Sequence, residues 1–419
     1  MIRPIVTSLM VLLALEASAL AGSPEVKWEK RGSRWEAEVT HSLQGASFKK
    51  LNVSGFTGNV TVTGNTKDAE LVIRCVMERG LSREEAEEVL KKILPQVKIS
   101  SREVEVQSSR RYVWGTPDAN LSLNARIPIA TDLYLKVSAG DADVSNLKGT
   151  INCVLSGGSV DLSNVEGNLS TAVSGGDLTF NDVRGELSAA TSGGDIKLEK
   201  YSGTADVTTS GGNISIRRVK GTLTATTSGG DIQAIGISGD KVILTSSGGD
   251  LDLEDIAVTR HAELETSGGS IGLRNSSGTM RVSSSGGDVD LQKHEGEIEI
   301  NANSGDVVLK EVRGSVTANV GSGDIQVWLV EGLGSSDRVE LWTNDGSLEL
   351  HIPSTMGAYI EASVEIYSDS DKRDRIESDF PLKYKHAKRG ELRASGEING
   401  GGIPILLTVG NGYIRIRSQ

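Results

Sequence analysis

Between residues 136 and 345 apolar and polar positions alternate along the chain, and glycines interrupt the alternation at regular intervals. From Asp195 to Gly211, apolar or small residues fall at Ile196, Leu198, Tyr201, Ala205, Val207 and Thr209, with Lys197, Glu199 and Asp206 between them. A period of two marks a β-strand with one buried face. The interruptions carry a tetrapeptide, most often Ser-Gly-Gly-Asp, that starts at Ser138, Ser156, Ser174, Ser192, Ser210 and Ser228, a constant step of 18. Its fourth position continues at Asp250, Ser270, Asp288, Asp306 and Asp324, then at Ser347 after a longer insertion. A half-period glycine recurs at Gly185, Gly203, Gly221, Gly239, Gly278, Gly296 and Gly314. Each unit of about 18 residues is therefore predicted to hold two short strands and two turns.

Strands this short bury little alone, but stacked units pair each strand with its equivalents above and below. The predicted fold is all-β, a parallel β-solenoid over residues 136–345. Inward positions form ladders such as Ile196 on Ile214 on Ile232, and Thr191 on Thr209 on Thr227. Glycine suits the corners because tight turns call for positive φ. The eleven units from Asp141 to Asp324, at about 4.8 Å per strand, make a rod roughly 50 Å long.

The flanks read as caps. Residues 22–135 combine strands, notably Leu51 to Thr63 and Ala69 to Met77, with one helix. Ser82-Arg83-Glu84-Glu85 is its capping box, Leu90 and Ile93 are its apolar stripe, and Pro95 ends it. A helix there covers the open strand edge that a bare solenoid leaves to polymerise. Residues 346–419 alternate as strands again, interrupted by the charged segment 369–377, and are predicted as a β-rich C-terminal cap.

Composition agrees with a thin array, since 50 glycines and only four phenylalanines are few aromatics for one large globular core. The formal net charge of −12, with no basic cluster interleaved with aromatics, excludes the electrostatic footprint of a nucleic-acid binder. The apolar run from Ile5 to Leu15 follows Arg3 and precedes Ala19-Leu20-Ala21, so residues 1–21 read as a signal peptide. Too short to span a bilayer and closed by Glu16, that run leaves the mature chain without a stable transmembrane segment. The expected location is the periplasm, the outer membrane or the cell surface. Cys75 and Cys153 each occupy an apolar position of a strand pattern. Two buried thiols are the simpler reading, and a disulfide is the alternative that an oxidising compartment permits.

The Ser-Gly-Gly-Asp coils, the preceding Ala125-Arg-Ile-Pro128 and the closing Gly396 to Gly402 and Gly410-Asn-Gly-Tyr-Ile-Arg resemble the bacterial putative adhesin family. The resemblance covers most of the mature chain. It implies a β-solenoid in envelope proteins and brings no catalytic residues.

The repeated aspartates carry the most suggestive chemistry. Stacked about 4.8 Å apart, ionised carboxylates repel by roughly 1 kcal/mol in bulk water and about 3–4 kcal/mol near a protein surface. Ser159, Asn213 and Ser270 interrupt the series, and all three residue types can accept a backbone N–H within their own turn. That is the favoured role, with calcium binding by neighbouring carboxylates as an alternative. Polysaccharide-processing enzymes also use β-helices, but their clefts need long walls, and only the turns at Asp240 to Lys241 and Arg260 to His261 and the loop from Leu329 to Arg338 are lengthened here. The histidines at 41, 261, 294, 351 and 386 show no metal-ligand spacing, and His294 stands where other coils carry Val or Tyr. Trp114, Trp328 and Trp342 lie near the array ends, where core or capping roles are expected ahead of ligand stacking. No catalytic, cofactor or metal residues are assigned. The chain reads as a non-catalytic exported envelope protein, an adhesin-like scaffold for an envelope polymer, glycan or protein.

Overall fold

The computed structural model describes residues 23–44, 47–65, 69–108, 119–365, 375–387 and 390–419. The signal peptide expected at residues 1–21 and Trp114 lie outside these residues, as does most of the charged segment 369–377. The chain divides in sequence into two units, one ending at Gly140 and the other beginning at Asp141.

In the first unit, Glu25–Arg31 and Arg34–Ser42 form an antiparallel hairpin, and antiparallel pairing continues through Glu70–Arg79 to Ala119–Pro128. Lys50–Thr57 pairs in parallel with both Glu103–Gln107 and Asp132–Ala139. The helix spans Arg83–Ile93 and buries Ala86, Val89, Leu90 and Ile93. Its capping box is complete, since Ser82 Oγ accepts from the Glu85 N–H at 3.1 Å and Glu85 Oε2 accepts from the Ser82 N–H at 2.7 Å. The Arg83 guanidinium lies 3.8 Å from the Trp28 ring centroid and so ties the first helical turn to the hairpin.

The second unit is the solenoid. Successive strands Val160–Val173, Leu178–Thr191, Ile196–Thr209 and Ile214–Thr227 pair in parallel and in register. The expected ladders form, with Ile196 opposite Ile214 and Ile214 opposite Ile232, all buried, and with Thr191, Thr209 and Thr227 stacked and buried beside them. Coils from 271 onward hold two strands each, such as Ile271–Ser277 with Met280–Ser284. From Val160 to Thr266, however, extended chain continues through the second corner, so each coil is one bent strand whose ladder skips the residue at the bend. Two positive-φ positions shape that corner: one left-handed residue, with φ between 52° and 62° at Asn164, Asp182, Lys200, Arg218, Asp255, Asn275, Lys293 and Glu311, and in most coils the half-period glycine three residues on. The left-handed residue turns the chain without shifting its neighbours, because Glu199 still faces Arg217 and Tyr201 still faces Val219. The longer coils take up their extra residues here too, with register shifts between Lys220 and Leu223 and between Gly239 and Lys241.

The parallel ladder extends beyond residue 345. Val339–Asp345 and Leu348–Ile352 form a coil, and Ile403–Asn411 and Ile414–Ser418 stack on it as another. Between them in sequence, Ala358–Glu365 and Ile376–Ser378 stack in parallel on the far side of that last coil and cover its edge. Ala358–Glu365 pairs in parallel with Ile403–Asn411 and antiparallel with Glu391–Ile398, which pairs in turn with Lys383–Ala387. Lys383 and Lys385 place charge on that outermost strand, a common guard against edge-to-edge pairing.

At the corners glycine is set by distance as well as φ. Gly203 has φ +139°, and a Cβ there would lie 1.9 Å from the Gly185 carbonyl oxygen of the coil below. A Cβ on Gly193 would meet nothing within 4 Å. Gly203→Ala is expected to destabilise the protein by about 3 kcal/mol or to prevent folding, and Gly193→Ala to change stability by less than about 1 kcal/mol. Urea unfolding of the two variants checks this; equal effects would contradict the close-approach argument.

Candidate functional site

The Ser-Gly-Gly-Asp corner has one recurring arrangement. In a regular parallel ladder the Asp195 N–H would donate to the Gly176 carbonyl of the coil below. That carbonyl instead accepts the hydroxyl of buried Thr191 at 2.9 Å, and the Asp195 N–H donates to Asp177 Oδ1 at 2.8 Å. One coil up, Thr209 donates to the Gly194 carbonyl at 2.9 Å and the Asn213 N–H donates to Asp195 Oδ1 at 2.7 Å. Thr227, Ser246 and Thr266 repeat the inner bond with Gly212, Gly230 and Gly249. The outer bond runs without a break from Asp141 to Ser347.

This corrects one expectation. The aspartates cap backbone amides, but the amide belongs to the next coil and not to the aspartate's own turn. The reason is the displaced carbonyl, which leaves an axial N–H that only a side chain from below can reach. It also explains the substitutions. Asn213 accepts from the Asp231 N–H through Oδ1 at 2.8 Å, and Ser159 and Ser270 accept through Oγ at 3.2 and 3.3 Å. An acceptor oxygen is required, and a charge is not. Among the described residues, no group of three or more His, Cys, Asp or Glu side chains is placed to hold a metal ion.

The titratable groups are scattered. His294 is buried in the ladder that carries Val183, Tyr201 and Val219 in other coils, and its Nδ1 lies 2.9 Å from Ser276 Oγ. Its Nε2 has no hydrogen-bond partner, and burial holds its pKa down at about 4, only partly offset by the Glu297 backbone and the Glu295 charge. Tyr201, in the same ladder, places its hydroxyl 2.6 Å from the Gly185 carbonyl and 2.7 Å from that of Thr204. His41 is buried in the first unit, and burial lowers its pKa. His261 is exposed, and His386 lies on Lys383–Ala387. Cys75 and Cys153 are both buried thiols, and burial pushes the Cys153 thiol up to about 12. On the outside, burial and then the neighbouring Asp143 charge raise the Asp161 carboxyl.

Trp328 and Trp342 both point outward from their strands, so the core role expected as one alternative for them is not the one they fill. Trp328 stacks on His351, with centroids 4.6 Å apart and planes at 9°, and Lys310 Nζ lies 5.7 Å from its centroid. Trp342 is 41% exposed. Alternation along Val339–Asp345 fixes its direction, since Val339, Leu341 and Thr343 take the inward positions. The sequence holds that signal, but it becomes legible only once the register is known.

Residues 23–235 and 210–368 match the family model described as Toastrack DUF4097. No curated protein matches the chain. A crystal structure described as a putative adhesin from Bacteroides fragilis is 15% identical, covers 66% of this chain and 97% of its own, and superposes with a TM-score of 0.27. Another, described as a putative cell adhesion protein from Clostridium sporogenes, is 10% identical, covers 95% of this chain and 100% of its own, and has a TM-score of 0.14. Scores this low carry no argument, and the family match bears the weight.

Two outcomes follow from the corner and from His294. Asp195→Asn keeps the acceptor and is expected to leave stability within about 0.5 kcal/mol of the parent, whereas Asp195→Ala strands an amide and costs about 1–2 kcal/mol in urea unfolding. A depressed histidine pKa favours the neutral ring in the fold. Its contribution is therefore present above pH 6.5 and is lost as pH falls toward 4, about 3 kcal/mol in all. His294→Val should remove its part of the slope across that window, while the depressed pKa of His41 contributes a slope of the same sign in both proteins. An unchanged profile would show that His294 titrates as in water.

Proposed function

The chain belongs to the Toastrack DUF4097 family, and we propose that it is an exported, non-catalytic envelope protein whose solenoid is an adhesin-like interaction scaffold. The observation that carries this reading is the use of the repeat residues. The corner aspartates that could have formed acid–base pairs accept a backbone N–H of the next coil through Oδ1, and the buried hydroxyls beside them donate to displaced carbonyls. The repeat builds the stack, and its outer faces are left to meet a partner.

Those faces are suited to binding. Outward side chains stand in columns at strand spacing, for example Thr208, Thr226, Thr245, Glu265, Ser283, Asn301, Asn319 and Trp342. A polysaccharide-processing reading gains little, because His294 sits in the core and His351 is stacked on Trp328. No helix among the described residues is long and apolar enough to cross a membrane. Export rests on residues 1–21, and it places the scaffold in the periplasm, at the outer membrane or on the cell surface.

Fractionation of cells producing the full chain, combined with crosslinking through residues on the outer columns, tests the proposal. The expected result is recovery in envelope or extracellular fractions, crosslinked to an envelope polymer, glycan or protein. A cytoplasmic pool that retains residues 1–21 would refute export, and an exported chain that crosslinks to nothing would refute the scaffold.

A further inference from the structure

The exposed aromatic side chains of the second unit fall into two kinds. Tyr413 has the Arg415 guanidinium 4.2 Å from its ring centroid, and both sides of Trp328 are taken by His351 and Lys310. Trp342, Tyr359 and Tyr384 are 41%, 52% and 49% exposed, and none of these rings is engaged by another ring or by a cation among the described contacts; Tyr384, opposite buried Ala394 on the edge strand, belongs to the other face of its sheet.

The rings of Trp342 and Tyr359 share one face of one sheet. Val339–Asp345, Ile403–Asn411 and Ala358–Glu365 lie side by side, with Trp342 opposite Thr408, Glu340 opposite Leu406, and Tyr359 opposite Pro404. Leu406, 45% exposed, lies one strand over and two residues back from Trp342. Tyr359 lies one strand further and two residues back again. The three form a straight diagonal with steps of about 7–8 Å. The outer end of the Tyr359 ring packs against Gly401, where an added Cβ would lie 2.6 Å from its hydroxyl. Beside the diagonal stand Glu340, Glu361 and Glu397, with Ser363 and Thr408.

We propose that this diagonal strip, Trp342–Leu406–Tyr359, is a binding site for an extended neutral glycan chain; the inference rests on the scaffold reading and names its partner. The three residues expose roughly 300 Å² between them, well below the ~800 Å² per partner that a stable dimer buries. An anionic lipid or polymer meets three carboxylates along the strip, and the arginines beside it, Arg338 and Arg393, are already paired with Glu340 and Glu391. All three strands are paired on both sides, so the face offers no free backbone to an added peptide strand. A neutral sugar chain fits both parts, since the C–H faces of its rings stack on Trp and Tyr while its hydroxyls donate to the flanking carboxylates and exchange bonds with Ser363 and Thr408.

The test is affinity electrophoresis of the full chain through gels containing hydroxyethylcellulose, galactomannan or dextran. Retardation by at least one of them is expected, with apparent Kd rising tenfold or more in Trp342→Thr and in Tyr359→Ala and unchanged in Tyr413→Ala. Threonine is chosen at 342 because the same outward column carries it at 208, 226 and 245, and circular dichroism and melting verify that each variant folds. No retardation by any of the three polymers, or retardation indifferent to both strip variants, overturns the inference. Binding to phosphatidylglycerol vesicles or self-association that Trp342→Thr abolishes also overturns it, by giving the strip a different occupant. If the parent fails to bind glycan yet still crosslinks to envelope material, this inference falls alone; if it does neither, the scaffold reading falls with it.

Discussion

Axial hydrogen bonding at the Ser-Gly-Gly-Asp corner is the constraint from which the rest of the solenoid follows. A chain that turns sharply while stacked at strand spacing cannot keep every amide opposite a carbonyl, and an unmet polar group in a buried corner costs about 1–3 kcal/mol. Here the mismatch is divided. A buried hydroxyl holds the displaced carbonyl from inside, and a side-chain oxygen from the coil below holds the displaced amide from outside. Threonine or serine inside, Asp, Asn or Ser outside, and glycine where backbones nearly touch are all consequences of that division.

Because each corner is completed by the coil beneath it, the bonds run along the stack axis and join coils more than they shape single turns. This is why the series tolerates serine and asparagine. It also bears on electrostatics, since every aspartate on the corner has one oxygen drawn to an amide dipole, which offsets part of the repulsion between stacked carboxylates. Among the described residues the Asp143–Asp161 column shows no such amide partner, and there burial and the like charge raise the Asp161 carboxyl.

Much of the fold was legible because a fixed period leaves little choice. The 18-residue step set the register, and alternation then chose Ile196, Ile214 and Ile232 for the core. Other features were hidden for physical reasons. The direction of the Asp177 bond depends on a carbonyl displaced by Thr191, which no local pattern reports. The left-handed corner was obscured because Lys200, Arg218, Lys293 and Glu311 occupy a conformation that ordinarily favours Gly, Asn or Asp and that strains other residues by about 1 kcal/mol. The candidate strip was the least visible of all. Trp342, Leu406 and Tyr359 are separated in sequence by an excursion and become neighbours only when Ile403–Asn411 returns to the stack.

That return fixes an order of events. The coil that lies on Val339–Ile352 is built from residues 403–418, while the strands covering it come from residues 358–398, which are made earlier. A chain emerging N-terminus first can stack each coil as it appears up to residue 352, and must then pause. Its covering strands can pair with one another, but they have no coil to lie on until the last one arrives, so the growing edge stays open for about fifty residues of synthesis or export. Vectorial folding and complete closure are thus separated in time, and this interval is where the solenoid is most exposed to pairing with another copy of itself.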